Sequence, residues 1–82
     1  MAGARNIREA VLECFRAHDG GPLQLGQIEA WVKREYRGVW AEVYADVAEL
    51  VIGKSSECYA ANEQFLNRIK RGVYQLDPAF RL

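Results

Sequence analysis

Arg68, Lys70 and Arg71 crowd around Gly72 in the stretch FLNRIKRGVYQL, Phe65 to Leu76. Cations gathered at a tight turn suit phosphate oxygens, because guanidinium offers a flat fork of donors and ammonium a compact charge. At the tip of a hairpin they would lie along a nucleic-acid backbone, or place Arg71 in a narrow A·T-rich minor groove. The same three residues serve equally well as a solvated tip, where cations keep an edge strand from pairing with other chains. Lys33, Arg34 and Arg37 form a second basic group. They fit backbone contact, and they fit ordinary complementation of a helix dipole just as well. Lys54 and Ser55 are the next candidates for touching a phosphate backbone.

The opposite charge is also grouped. Glu42, Asp46 and Glu49 follow one another at i, i+4 and i+7, which predicts an acidic stripe along one helix face. Duplex DNA carries about one charge per 1.7 Å of its axis, so such a stripe would be repelled from a groove. It suits a basic protein surface or a second copy of the chain, with Trp40 and Tyr44 as aromatic anchors. Trp40 reads first as a core residue, and Tyr59 first as packing over the core, with stacking on a base as its alternative.

Catalytic groupings are missing from the sequence. His18 is the only histidine and falls on an apolar stripe at a helix end, where it can cap carbonyls. Ser55, Ser56 and Cys58 lie close together without a glycine-framed nucleophile motif or a second histidine as base. No glycine-rich phosphate loop and no metal-ligand spacing occurs. A non-enzymatic chain is expected, with no cofactor, no metal and no small-molecule substrate.

These residues need elements to hold them. Ile7, Ala10, Val11, Cys14, Phe15 and His18 recur at helical spacing, with Asn6 and Glu9 suited to a capping box. Asp19-Gly20-Gly21-Pro22 ends that helix. Leu23-Gln24-Leu25 permits a brief strand. Ile28, Trp31 and Val32 line a second helix from Gln27 to Tyr36, stopped near Gly38. Trp40, Val43, Tyr44, Val47, Leu50 and Val51 predict a third helix that Gly53 stops. Lys54 to Gln64 reads as a loop. The alternation in FLNRIKRGVYQL then predicts two strands, ended by Asp77-Pro78.

An 82-residue chain, half hydrophobic, supports one small core and one domain spanning residues 1–82, with the core over about 5–78. Its two Trp, four Tyr and three Phe argue against disorder. Eleven basic and eleven acidic side chains cancel, so any grip on nucleic acid must come from a local patch. Charge separates along the chain: Glu42, Asp46, Glu49, Glu57 and Glu63 face only Lys54, whereas beyond Gln64 only Asp77 opposes four cations. Cys14 and Cys58 read as reduced and structural. No apolar run suits a membrane span, and MAGARN lacks the apolar segment of a signal peptide, so a soluble cytoplasmic domain is expected.

The order helix, short strand, helix, helix, strand, strand predicts an α+β winged helix-turn-helix, three helices with a C-terminal β-hairpin wing and a short third strand. IREAVLECF, GGPLQLGQIEAWVKREY and FLNRIKRGVYQL together resemble the winged-helix domains of the prokaryotic restriction-endonuclease-associated type. The resemblance implies DNA binding. It also implies core positions at Ile28 and Trp31 in the second helix and at Leu66, Ile69, Tyr74 and Leu76 in the hairpin, with Gly72 in the turn. The acidic stripe departs from that pattern. Two readings follow: a module that grips duplex DNA mainly by its backbone, and an adaptor that binds a protein or itself through the third helix.

Overall fold

Residues 4–80 are described by a computed structural model of the chain. The ends of the expected domain, 1–3 and 81–82, and with them the start of MAGARN, lie outside the described residues. α1 spans Ile7–Ala17, β1 Leu23–Gln24, α2 Leu25–Glu35, α3 Tyr44–Glu49, β2 Leu66–Lys70 and β3 Val73–Leu76. Short 3-10 turns cover Ala61–Glu63 and Pro78–Phe80. The fold is α+β: three helices against a three-stranded antiparallel sheet of order β1-β3-β2, a small winged-helix-like arrangement. Among the described residues no helix is long and apolar enough to cross a membrane.

α1 is set by local chemistry. Glu9 donates its amide to the Asn6 side chain at 2.9 Å, and the Glu9 carboxylate accepts from the Arg5 amide at 2.9 Å. Ala10, Val11, Cys14 and Phe15 form its buried face. At the other end the Gly20 amide donates to the Phe15 carbonyl at 2.7 Å, and that of Asp19 to Arg16 at 3.4 Å. This double closure is the Schellman arrangement, and Asp19 supplies its left-handed residue with φ 56°. Gly21 follows with φ 90°, and a Cβ there would lie 3.1 Å from the Phe15 ring. The chain can therefore pass close over the core only without a side chain.

β1 is two residues long and depends on β3: Leu23 lies opposite Tyr74 and Gln24 opposite Val73. The Leu25 amide, first in α2, donates to the Gly72 carbonyl at 2.9 Å, so the hairpin turn is braced against the start of α2. Ile28 and Val32 are the buried residues of α2, and Trp31 packs beside them only partly covered.

Two expectations are corrected. The predicted long third helix is six residues, and Trp40, Glu42 and Val43 precede it. Trp40 instead tilts against Tyr36 with ring centroids 5.2 Å apart. The helix cannot run on because β2 claims the backbone after it. The Phe65 and Leu66 amides donate to the Leu50 carbonyl, the Ile52 amide donates to Leu66, and Val51 forms a parallel bridge with Leu66. Ile69, expected in the hairpin core, is 52% exposed. Leu66 and Ile69 are three apart, and strand side chains alternate with period two, so they cannot share a face. Leu66, Tyr74 and Leu76 are in the core as expected.

Candidate nucleic-acid interface

The bridge between Val51 and Leu66 lays the chain leaving α3 beside β2. Gly53, at φ 91°, then turns it, and the Lys54 amide closes the turn on the Val51 carbonyl at 3.0 Å. Gln64 is buried beneath this turn. Its amide nitrogen donates to the carbonyls of Glu49 at 2.9 Å and Lys54 at 2.7 Å, while its oxygen accepts from the Gly53 amide at 3.3 Å. One side chain thus closes the end of α3 and holds the backbone of Lys54.

Across from Lys54 stands Arg68. It lies opposite Tyr74 in the sheet, and partners side by side in an antiparallel pair point to one face. Tyr74 is buried, so Arg68 emerges where the core-facing side of the sheet runs out. Ala48, Val51, Lys54, Arg68 and Tyr74 line a cleft of about 260 Å³ between α3 and the hairpin. Lys54 and Arg68, separated in the sequence by a loop and the start of β2, thus share one depression, floored by apolar side chains. Lys70 and Arg71 continue the hairpin to its tip, where Gly72 turns with φ 74°.

The cations differ in what already occupies them. Lys33 pairs with Glu29 at 3.6 Å and Arg34 with Glu35 at 3.5 Å. Among the described residues Arg37, Lys54, Arg68, Lys70 and Arg71 form no ion pair or side-chain hydrogen bond. Lys33, Arg34 and Arg37 are also displaced from the wing. The Gly72 turn is bound to the first residue of α2, and Lys33 is eight residues further along, about 12 Å at helical rise. The structure therefore gathers Lys54 with Arg68, leads on to Lys70 and Arg71, and leaves the α2 group apart. Ser55 is exposed beside Lys54.

The acidic stripe is not presented as expected. Glu42 is exposed ahead of α3, but Asp46 and Glu49 are half-buried. Tyr59 donates its hydroxyl to Asp46 Oδ2 at 2.5 Å, and Ser56 Oγ donates to Glu49 Oε1 at 2.6 Å. Ser56 Oγ in turn accepts from the amides of Cys58 at 3.1 Å and Tyr59 at 3.0 Å. Both carboxylates face the loop after α3 and hold it down. The outward face of α3 carries Tyr44 and Ala45 instead. Tyr44, 42% exposed, has its phenol pushed up by the hydrogen bond it donates to the Glu29 carboxylate.

Burial, and then the bond to Asp46, push the Tyr59 phenol above the usual tyrosine range. The fold favours the neutral phenol, so this contribution is complete below the ordinary pKa of about 10. It is lost as pH climbs through that value toward the raised one. Tyr59→Phe is expected to cost about 1 kcal/mol at neutral pH and to flatten the alkaline loss of stability. Urea midpoints at about pH 7 and about pH 11 check this, and an unchanged alkaline slope would contradict it.

Of the remaining reactive side chains Cys14 is buried in the core, whereas Cys58, expected to be structural as well, is exposed. His18 is exposed rather than part of the core stripe, and its Nδ1 lies 2.7 Å from the Cys14 carbonyl, which it caps. Burial pushes the Cys14 thiol up to about 12, and the Glu49 charge raises that of exposed Cys58. Neither is poised as a thiolate. The sequence did not mark Gln64 as buried, and it placed Val51 and Tyr74 in the core without showing the cleft that they line. A lone glutamine in a polar stretch has no periodicity to mark it as buried. Compared with models of known families, with curated proteins and with solved structures, the chain matches none of them.

Proposed function

We propose that this chain is a non-enzymatic winged-helix module of the restriction-associated type that binds duplex DNA in the cytoplasm of a prokaryote, mainly through the phosphate backbone. One observation carries the reading. Four cations without acidic partners among the described residues, Lys54, Arg68, Lys70 and Arg71, run from the cleft beside α3 to the tip of the hairpin. A neutral protein needs such a local patch to hold a polyanion, and unpaired cations meet phosphate without first breaking an internal ion pair. The withdrawal of Asp46 and Glu49 into loop contacts supports the same reading, because it removes much of the repulsion a groove-facing acidic stripe would cause.

Contacts of this kind give weak sequence preference and strong salt dependence. Titration of a labelled duplex at two salt concentrations tests the proposal. Replacing Lys70 and Arg71 with glutamate is expected to weaken binding about tenfold and to flatten the log–log salt slope by roughly 2. Both residues are exposed, so the fold is expected to survive the change. A double variant that binds like the wild type at both salts, or a stable dimer indifferent to DNA, would sink the reading.

A further inference from the structure

Ile69 is the one residue of β2 that the sheet does not pair. Arg68 lies opposite Tyr74 and Lys70 opposite Val73, so the register slips between them and Ile69 is the additional residue of a bulge. Bulges re-aim side chains, and this one leaves a large apolar side chain 52% exposed. Its neighbours in the chain are Arg68, Lys70 and Arg71, all exposed and, among the described residues, without acidic partners. A single exposed isoleucine is ordinary on any surface. An isoleucine turned outward by a bulge, in the midst of three unpaired cations, matches a particular partner: apolar base faces lying just inside two rows of phosphates.

Resting on the DNA-binding reading above, we infer that Ile69 is a wedge that the wing inserts between adjacent base pairs from the minor groove. The cations hold the two phosphate rims while the side chain replaces part of the stacking it disrupts. A wedge must resist being pushed back, and here the hairpin is supported. The Gly72 carbonyl accepts from the Leu25 amide at 2.9 Å, and β3 is paired on both sides, by β1 and β2. Steps that unstack easily, pyrimidine followed by purine, are then the preferred seats, so a backbone-dominated binder acquires a preference for deformable sequence. Of the other exposed apolar residues, Tyr44 lies beside Glu29, and Val39 and Ile52 each have a single cation, Arg37 or Lys54, within two residues along the chain.

The test uses a short duplex labelled at its ends for energy transfer, with a central base analogue whose fluorescence rises on unstacking. The wild-type chain is expected to bend the duplex by roughly 20–90° and to raise the analogue's signal. Ile69→Ser is expected to bind while losing both signals, and Ile69→Leu to keep them. Because Ile69 is exposed, neither change removes core packing. Wild-type binding without bending or unstacking overturns the wedge and leaves backbone binding standing, as does an Ile69→Ser variant with wild-type signals. No binding at low salt overturns both.

Discussion

Lys54→Glu combined with Arg68→Glu is expected to weaken duplex binding about 100-fold at low salt, more than the same exchange at the wing tip. The reason is convergence. Lys70 and Arg71 are placed along the hairpin tip, where on the proposed reading each would meet a different phosphate, screened by water. Lys54 and Arg68 line one cleft, so a phosphate seated there loses both partners together. Two carboxylates then occupy the depression in their place. Charge-assisted hydrogen bonds contribute about 1.5–3 kcal/mol each, and two of them account for a change of this order. The Lys54 backbone is anchored by Gln64 rather than by its own side chain, so the exchange leaves the turn intact. The measurement is a duplex titration with circular dichroism as a check on folding. A folded double variant that binds within about threefold of wild type would remove the cleft from the interface.

Phe65→Ala is expected to bring the domain close to unfolding. Phe65 is fully buried, and its ring meets groups from both ends of the fold. The Arg8 guanidinium of α1 lies over the ring at 5.3 Å, and the Phe80 ring is 6.2 Å away. Its backbone is engaged as well: the amide donates to Leu50 and the carbonyl accepts from Asp77. Truncating a buried phenylalanine costs about 3–5 kcal/mol, from lost transfer energy and the cavity left behind. A domain of this size holds only about 5–10 kcal/mol in all. The melting temperature is expected to fall by roughly 12–30 °C, with the urea midpoint falling in step. A loss of only a few degrees would mean that Phe80 and Leu50 collapse into the space.

Much of the fold was legible because its determinants are local. Asn6 and Glu9 sit within one turn of the amides they cap, and Asp19 to Gly21 end α1 through their own backbone conformation. Alternation over Phe65–Leu76 and a basic glycine turn marked the hairpin, which pairs as expected with a strand at Leu23. α3 was misjudged for the same reason that α1 was read well. Apolar spacing over Trp40–Val51 satisfies a helix pattern, but spacing says nothing about competing partners. Here β2 takes the Leu50–Ile52 backbone, and the helix stops.

What the sequence determined alone is therefore the set of parts: three helices, a short strand, a basic hairpin, and a neutral total that confines any polyanion grip to a patch. Tertiary structure decided which charges remain available. Asp46 and Glu49 looked exposed by spacing, yet their partners Tyr59 and Ser56 are 13 and 7 residues away in an aperiodic loop. Lys54 and Arg68 looked unrelated, yet the Val51–Leu66 bridge and the buried Gln64 set them across one cleft. Helix and strand patterns are written in neighbouring residues, because backbone hydrogen bonds and side-chain periodicity act over a few positions. A binding surface is made by contacts between distant segments, and those exist only once the chain has closed on its core.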